Sequence, residues 1–399
     1  MSHSDLVIIG AGQAAAAAID ALREAGDERS VLLIGNEGER PYERPGLSKE
    51  VLLGDAQTDS VYIHDQAYYD THGVQTRLDD AATGIDPARS TITFASGETA
   101  TYTDLVLATG ATPRRLPIPG MDLPGVHTLR RIPDSQAIKA TFGQGRRIVI
   151  IGGGWIGLEV AAAARQAGSE VTVLEAAGLP LENTLGHRLG QHFADLHTSH
   201  GVTLRTGSAV AIEGAAYATG VRVDDETLPA YAVVVVVGAA PNLDLAEAAG
   251  LPVEGGVQGD EQLRAAEHIY AVGDIANAHN TTLGHRLRVE HWDNAARQGQ
   301  LAGRVLAGAS DVYDWHPYFF TDQYDLGMEY VGRGAAEDEV VVRGEMASGE
   351  FLAFWLREGI LTAGMNVNIW DVNDQIRELL GRRVSVSDLA DPQRDLATL

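Results

Sequence analysis

The 399-residue sequence predicts an α/β protein with two Rossmann-like modules, the second inserted in the first, and an α+β domain at the C-terminal end. Three observations predict this class. Glycine-rich turns at Gly10 and at Gly152 each follow an apolar strand and precede an alanine-rich helix. After about Trp315 the pattern changes to the alternation that is typical of antiparallel strands.

The first module opens with a predicted strand at residues 6–9 and a helix at 13–25 that ends at Gly26. A second strand at 31–34 completes a βαβ unit. A loop punctuated by proline and glycine covers residues 41–48.

The second module repeats the order strand, turn, helix and strand between residues 147 and 175. A strand at 233–237 then runs into Gly238, where we expect the chain to cross back to the first module. The first module resumes with a strand that ends at Asp274 and with a long helix that follows Arg288.

The two crossings define three predicted domains. We assign residues 1–111 and 242–314 to the first, 112–241 to the second and 315–399 to the C-terminal domain. In the C-terminal domain, segments 339–345, 351–357 and 360–366 predict antiparallel strands with a turn at Glu358 and Gly359.

Composition limits the function. The net charge of −25 argues against non-specific binding to nucleic acid or to an anionic membrane surface. The sequence has no cysteine, which excludes disulfides, thiolate metal sites and dithiol redox chemistry, and its histidine spacings indicate no metal site. With no signal peptide pattern and no apolar run long enough to cross a bilayer, we expect a soluble cytoplasmic protein.

At the first turn, Gly10 permits a tight bend, and Gly12 lets the backbone approach a pyrophosphate that the helix N-terminus attracts. Ala15 at the third position of the fingerprint still allows the helix to pack closely on the strand. The next strand ends at Asn36 and Glu37, either of which is expected to hold a ribose. The alternative is a plain α/β turn that binds nothing, which the combination of strand, turn, helix and acid disfavours.

The second turn completes the GxGxxG pattern with Gly152, Gly154 and Gly157, and Glu175 ends the next strand. A carboxylate at that position favours the free 2′-hydroxyl of NADH and repels the 2′-phosphate of NADPH. Glu159 lies two residues beyond Gly157. It is either an acid that stabilises the helix N-terminus or a contact to a nicotinamide carboxamide.

Asp274 also has two interpretations, because it ends a strand. Its carboxylate can accept hydrogen bonds from ribityl or ribose hydroxyls, or it can cap the N-terminus of a helix. The two turns together predict two dinucleotides held face to face, which indicates electron transfer between them.

Taken together, these residues resemble the flavoprotein ferredoxin reductases that serve Rieske oxygenases and bacterial P450s, which have a glutathione-reductase-like fold. Rubredoxin reductase, putidaredoxin reductase and apoptosis-inducing factor are similar. The resemblance covers essentially the whole chain. It is carried by an ordered set of segments: GAGQAA at Gly10, PYERPGLSK at Pro41, LATG at Leu107, GGGWIGLE at Gly152, AVGD at Ala271, RVEHWDNA at Arg288 and FTDQY at Phe320.

The resemblance implies FAD at the first turn and NAD(P)H at the second, where Glu175 favours NADH. The positions that it implies for FAD are Gly10, Gly12, Ala14, Asn36 or Glu37, Arg44, Lys49, Ala82, Arg130, Asp274 and Trp292. Those that it implies for NADH are Gly152, Gly154, Ile156, Gly157, Glu159, Glu175 and Gly238.

Lys49 and Glu159 are the catalytic residues that the resemblance implies. Lys49 would lie near the flavin N5 and O4, where its charge favours the reduced ring. Glu159 would pair with Lys49 when nicotinamide is absent and turn to the carboxamide when it is bound. Trp292 would stand beside the flavin pyrimidine.

The implied function is that of an NADH:ferredoxin oxidoreductase, in which FAD takes hydride from NADH and passes single electrons to an iron–sulfur carrier of an oxygenase or P450 system. The implied partner is a [2Fe–2S] ferredoxin or a rubredoxin, with no nucleic acid and no membrane. A quinone or monodehydroascorbate reductase is an alternative. A flavoprotein like apoptosis-inducing factor is another, which the acidic charge disfavours. The oligomeric state stays open.

An acidic carrier would need a local basic surface on this acidic chain. The candidates are four arginines that could equally be ordinary solvated charges: Arg297, Arg304, Arg382 and Arg383. Trp292 and Trp370 could line an electron exit or belong to the core. The sequence departs from the family at Gly46, where proline is usual, and at Leu179 and Pro180, where an arginine-containing stretch is usual.

Overall fold

The computed structural model describes residues 2–399, which form two compact units. The first unit contains the chain up to Arg44 together with Thr58–Thr112 and Ala240–Pro317. The second contains Pro45–Gln57, Pro113–Ala239 and Tyr318–Leu399. Two short strands, Ala111–Pro113 and Ala239–Pro241, lie where the chain passes from one unit to the other.

A parallel sheet forms the centre of the first unit. Its strand Ser2–Ile9 lies between Val31–Ile34 and Thr99–Leu107. The sheet continues to Val74–Arg77 on one side and to Ile269–Ala271 on the other. Because helices or loops cover both faces at the centre of the sheet, the segments 6–9, 31–34 and 105–107 are apolar and buried throughout rather than alternating.

Shorter strands and four helices complete the first unit. The strands are Ala82–Asp86, Thr91–Phe94, Val257–Gly259, Arg264–Ala266, Ala276–Asn280 and His285–Leu287. The helices are Gln13–Glu24, Gln66–Thr71, Asp244–Ala248 and Trp292–Leu306.

The helices Gln13–Glu24 and Trp292–Leu306 cross at very short range. A Cβ atom at Gly299 would lie 2.2 Å from the carbonyl oxygen of Ala14, and one at Gly303 would lie 2.4 Å from that of Ala18. Glycine at two positions one turn apart therefore lets the two helix backbones touch. The N-terminal ends also meet, since Trp292 Nε1 donates to Gln13 Oε1 at 3.2 Å.

The second unit has its own parallel sheet. Arg147–Ile151 lies between Glu170–Glu175 and Ala232–Val235, with Thr203–Thr206 and Val126–His127 at the edges. An antiparallel sheet beside it has the strands Ala209–Gly214, Ala218–Val223 and Glu226–Pro229. The helices of this unit are Glu50–Leu53, Ile132–Thr141, Trp155–Gln166, Glu182–Leu185, His187–Ser199, Asn373–Leu379 and Val386–Ala390.

A five-stranded antiparallel sheet forms the C-terminal part of the second unit. Its strands lie in the order Tyr318–Gln323, Leu326–Gly332, Ile360–Val367, Glu350–Arg357 and Glu339–Glu345. At the predicted turn, Glu358 and Gly359 have φ of 54° and 77°, as a two-residue hairpin with both central residues left-handed requires. The predicted strands and their turn are confirmed.

The predicted α/β class with two Rossmann-like modules is confirmed. The three-domain division stays a prediction, because the second compact unit holds both the predicted second module and the predicted C-terminal domain. Among residues 2–399, no helix has both the length and the apolar character that crossing a bilayer requires.

Candidate functional site

The glycine turn of the first unit has a shape that only glycine permits at its first position. Gly10 has φ of 113°, and a Cβ atom there would lie 2.0 Å from the carbonyl oxygen of Ala108. At Gly12, in contrast, a Cβ would meet no atom within 4 Å. Gly12 is also the N-cap of the helix Gln13–Glu24, and no side chain caps that end. No side chain therefore occupies the first backbone N–H groups of this helix, as a pyrophosphate site requires.

Glu37 is fixed shortly after the strand Val31–Ile34. Its carboxylate accepts hydrogen bonds from Arg44 Nη2 at 2.9 Å and from the Tyr42 hydroxyl at 2.6 Å. Asn36 forms an isolated bridge with Asp79 through its backbone. The structure therefore brings Glu37 and Arg44 together, while the choice between Asn36 and Glu37 as the ribose contact stays a prediction.

The turn at Gly273 lies between the N-terminal ends of the helices Gln13–Glu24 and Trp292–Leu306. A Cβ on Gly273 would lie 3.5 Å from the Cβ of Ala14 and 3.7 Å from that of Ala295. The Gly273 N–H donates to Gln298 Oε1 at 2.8 Å. This arrangement places the neighbouring Asp274, which is 9% exposed, on the same side of the unit as the glycine turn.

The structure does not support the capping interpretation of Asp274. A single 3₁₀ turn spans Gly273–Ile275, and its N-cap residue is Val272 rather than Asp274. The contact to ribityl or ribose hydroxyls stays a prediction. Of the other predicted FAD contacts, Ala82 begins the strand Ala82–Asp86 in the same unit, and Arg130 belongs to the second unit, just before the helix Ile132–Thr141.

The glycine turn of the second unit repeats the same construction. Gly152 has φ of 111°, and a Cβ there would lie 2.4 Å from the carbonyl oxygen of Val236. A Cβ on Gly157 would lie 2.1 Å from the carbonyl oxygen of Gly152, so glycine lets the helix pack against the turn. Gly154 is an N-cap without a side-chain bond and has open space around it. Ile156, in the first helical turn, is 45% exposed.

Glu175 lies directly against this second turn. Its Oε2 accepts a hydrogen bond from the backbone N–H of Gly153 at 2.7 Å, and its Oε1 accepts one from that of Ala177 at 2.8 Å. A Cβ on Gly153 would lie 3.0 Å from Glu175 Oε2. The motif does not require glycine at position 153, and this close approach of the carboxylate explains it.

Gly238 lies where the strand Ala232–Val235 leads out of the second sheet. It has φ of 92°, and its carbonyl accepts the backbone N–H of Arg114 at 2.9 Å. The two turns have uncapped helix N-termini, and Glu37 and Glu175 stand at or just after the end of the neighbouring strand; this arrangement fits two dinucleotides, one in each unit.

We expect Glu175→Gln to lower the selectivity for NADH over NADPH about tenfold, because the amide removes the negative charge that repels a 2′-phosphate while keeping the side-chain shape. The ratio of kcat/KM for the two coenzymes, measured with ferricyanide as acceptor, checks this. Glu170→Gln is the matched control, since Glu170 begins the same strand and pairs with Arg147 in solvent. An unchanged ratio in Glu175→Gln, or an equal change in Glu170→Gln, would contradict the assignment.

Lys49 and Glu159 form a buried ion pair within the second unit. Lys49 Nζ lies 2.8 Å from Glu159 Oε1, and the two side chains are 10% and 4% exposed. Lys49 Nζ also lies 5.0 Å from the centroid of the Phe320 ring, within range of a cation–π interaction. The structure therefore brings the two predicted catalytic residues together, although they are far apart in the chain.

The segment that carries Lys49 is anchored by the helix Ile132–Thr141. The Ser135 hydroxyl donates to the Leu47 carbonyl at 2.7 Å, and Lys139 Nζ donates to the Val51 carbonyl at 2.8 Å. These bonds fix the backbone on both sides of Lys49. Lys49 and Lys139 are the two lysines of a chain with 30 basic residues.

Two residues that sequence reasoning did not assign complete the surroundings of Glu159. The Ser48 hydroxyl donates to Glu159 Oε2, and the Thr321 hydroxyl donates to Glu159 Oε1 at 2.6 Å. Ser48 directly precedes Lys49 in the chain, and this position is only weak evidence in the sequence for a contact with Glu159. Thr321 lies in the strand Tyr318–Gln323, and nothing in the sequence indicates that this strand would reach the helix Trp155–Gln166.

The four arginines considered for docking differ in their surroundings. Arg297 pairs with Asp293 at 2.9 Å, and Arg304 pairs with Asp311 at 2.5 Å, so carboxylates of the chain itself offset both charges. Arg382 and Arg383 form no ion pair within residues 2–399. Trp370 is 55% exposed, and it packs closely enough on Gly327 that a Cβ there would lie 2.6 Å from the indole ring.

The profile of the family described as "Pyridine nucleotide-disulphide oxidoreductase" matches residues 4–299, and that described as "Reductase C-terminal" matches residues 318–399. The chain is 36% identical to the anthranilate 1,2-dioxygenase system ferredoxin–NAD(+) reductase component of Burkholderia cepacia, with all of both chains covered. It is 38% identical to the 5,5'-dehydrodivanillate O-demethylase ferredoxin reductase subunit of a Sphingobium species, over 100% of this chain and 99% of that one.

Solved structures agree with these relatives. The reductase in the crystal structure of a covalent putidaredoxin reductase–putidaredoxin complex is 31% identical to this chain and has a TM-score of 0.95. The match covers 99% of this chain and 98% of that one.

Proposed function

Since the chain belongs to the pyridine nucleotide-disulphide oxidoreductase family and carries the reductase C-terminal domain, we propose that it is an FAD-dependent NADH:ferredoxin reductase. Its electron acceptor would be the iron–sulfur carrier of an oxygenase or P450 system. The names of the similar proteins support this acceptor, because they are reductase components of such systems. We also propose a cytoplasmic location, where NADH is available as the electron donor.

One observation carries the proposal: each unit contains a glycine turn with an uncapped helix N-terminus, and a glutamate stands at or just after the end of the strand paired with the one that leads into the turn. Such a turn binds the pyrophosphate of a dinucleotide. Two turns in one chain therefore provide for a resident FAD at Gly10 and a visiting NADH at Gly152.

The family name refers to disulfide reduction, but this chain cannot perform it. The sequence has no cysteine, so no dithiol of the protein can accept electrons. When bound, FAD supplies the conversion of a two-electron hydride into single electrons that an iron–sulfur centre can take. Electrons that enter through NADH must then leave to a separate carrier.

The residues of the chain would bind, orient and stabilise charge. Glu175 orients the adenosine ribose of NADH, and the N–H groups after Gly154 bind its pyrophosphate. Lys49 places a positive charge that favours the reduced flavin ring. Glu159 holds Lys49 in the absence of nicotinamide and accepts a hydrogen bond from the carboxamide when NADH is bound.

Sequential-mixing stopped flow tests the proposal. The purified holoprotein is first reduced with NADH and then mixed with a [2Fe–2S] ferredoxin, a rubredoxin or a soluble quinone. We expect reduction of the ferredoxin to be at least about tenfold faster than that of the quinone, because the partner must dock specifically for fast transfer. Fast quinone reduction together with an unreduced ferredoxin would instead identify a quinone reductase.

A further inference from the structure

Glu159 is the end of a chain of buried hydrogen bonds within the second unit. The Thr321 hydroxyl donates to Glu159 Oε1 at 2.6 Å, and Gln323 Nε2 donates to the Thr321 Oγ1 at 3.2 Å. Gln323 Oε1 lies 2.8 Å from His197 Nε2. Thr321 and His197 have no exposed surface, and Gln323 is 1% exposed. The chain thus links the strand Tyr318–Gln323 to the helices Trp155–Gln166 and His187–Ser199.

The direction of these bonds follows from what each group can donate. A threonine hydroxyl has one hydrogen, and a carboxylate without a proton only accepts. The Thr321 hydrogen therefore goes to Glu159, so Gln323 must turn its NH₂ group to Thr321 and its oxygen to His197. His197 must then carry its proton on Nε2. Every donor in the chain points toward Glu159.

His197 is suited to the far end of this chain. Burial lowers the pKa of its imidazole to about 4, against an opposing effect of the hydrogen bond to Gln323, so the ring is neutral near pH 7. Its Nδ1 is buried and has no hydrogen-bond partner within the described residues. A neutral ring with its hydrogen on Nε2 can serve only as the donor to Gln323 here.

The alternation of the strand explains why two residues of the same segment take part. Residues two apart in a strand lie on the same face, and both Thr321 and Gln323 are buried. Their neighbour Asp322 lies on the opposite, exposed face. The segment FTDQY therefore supplies the hydroxyl of Thr321 and the amide of Gln323 to the same chain of buried hydrogen bonds.

We propose that Thr321, Gln323 and His197 are positioning residues that hold Glu159 against Lys49 and thereby determine how readily Glu159 is released to the nicotinamide carboxamide. This proposal rests on the role of Glu159 in the proposed function. A hydrogen bond to a charged group stabilises it more than one between neutral groups. Removing any of these donors by substitution would therefore make the release of Glu159 from Lys49 easier.

Thr321→Val tests the proposal with two measurements. The first is the rate at which acetic anhydride acetylates Lys49, determined by mass spectrometry with Lys139 as the internal reference. We expect acetylation of Lys49 to be about fivefold faster, because a loosened Glu159 leaves the amine more often unpaired. The second is the KM for NADH with ferricyanide as acceptor, which we expect to fall about threefold while kcat changes little.

Control variants separate positioning from a general loss of stability. Thr321→Ser keeps the hydroxyl and should restore both values. Thr362→Val removes a hydroxyl that donates to Asp338 in the same antiparallel sheet and should leave Lys49 acetylation unchanged. Gln323→Met removes the next hydrogen bond and should change Lys49 acetylation and the KM for NADH in the same direction, but less. This variant replaces Thr321→Val in the test if Thr321→Val does not fold.

The possible results distinguish failure of the positioning proposal from failure of the proposed function. Unchanged acetylation of Lys49 in both Thr321→Val and Gln323→Met would overturn the positioning proposal and leave the reductase assignment intact. Faster acetylation with an unchanged or raised KM would show that the chain holds the ion pair but does not govern NADH binding, which also overturns it. Failure of the holoprotein to oxidise NADH at all would instead refute the proposed function.

Discussion

Gly10→Ala is expected to yield a protein that does not retain FAD. A Cβ at this position would lie 2.0 Å from the carbonyl oxygen of Ala108, and φ of 113° disfavours any side chain. Because both obstacles are backbone, relief requires the turn to move away from Ala108, which follows the neighbouring strand Thr99–Leu107. The N–H groups that face the pyrophosphate would move with it. We expect a loss of at least about 4 kcal/mol, or roughly a thousandfold in affinity for FAD.

Gly26→Ala is the matched control for this change. Gly26 follows the other end of the same helix with φ of 77°, but a Cβ there meets no atom within 4 Å. Its replacement should cost only about 1–2 kcal/mol of backbone strain and leave FAD bound. The ratio of absorbance at 450 nm to that at 280 nm measures bound FAD, and thermal unfolding measures stability. Full FAD content in Gly10→Ala would refute the assignment of this turn.

The turns could be predicted because their chemistry is local. A bend with positive φ needs glycine, and the helix that follows needs small residues to pack on the strand, so the sequence carries both signals. The hairpin at Glu358 and Gly359 was predictable for the same reason. In each case, residues adjacent in the chain determine the geometry.

The surroundings of Glu159 could not be predicted in this way. Ser48, Thr321 and Glu159 lie in three separate segments, and only the tertiary fold decides that their side chains meet. A buried threonine in a strand looks in sequence like any other residue of the core. The close crossing at Gly299 and Gly303 was missed for a similar reason, since glycine in a helix indicates neither its partner nor its contact distance.

Other interpretations were narrowed by the structure. Sequence reasoning left Asp274 as either a cap or a ribose contact, and the cap position is occupied by Val272. The arginines proposed for docking were treated as equivalent, but Arg297 and Arg304 are ion-paired, and Arg382 and Arg383 have no ion pair within the part of the chain that the structure describes. The Asp293–Arg297 pair follows the i,i+4 spacing of a helix and could have been predicted, whereas Arg304 pairs with Asp311 beyond the end of the helix, which helical spacing does not reveal.

Lys49→Met is expected to slow reduction by NADH about a hundredfold, the size of effect typical of removing one fixed charge that stabilises developing charge. The same change should also destabilise the protein. Glu159 is 4% exposed, and without Lys49 it becomes a buried carboxylate that lacks its cation. Removing one partner of a buried pair costs about 3–5 kcal/mol. A lower rate in this variant alone would therefore not distinguish a catalytic role from a structural one.

The double variant Lys49→Met with Glu159→Gln makes that distinction. The amide keeps the shape of Glu159 and can still accept hydrogen bonds from Ser48 and Thr321, but it leaves no unpaired charge in the interior. We expect the double variant to recover most of the thermal stability lost in Lys49→Met. The rate of reduction by NADH, followed at 450 nm under anaerobic conditions, should stay low because the cation is still missing.

The outcome separates two explanations for a buried ion pair in this chain. If Lys49 serves only to neutralise Glu159, replacing both residues should restore the rate together with the stability. If Lys49 acts on the flavin, the double variant should regain stability while its rate of reduction stays low. The rate should recover only in Lys49→Arg, which keeps a positive charge. That recovery should be incomplete, because the guanidinium has a different shape from the ammonium. Restoration of the full rate in the double variant would rule out a catalytic role for Lys49.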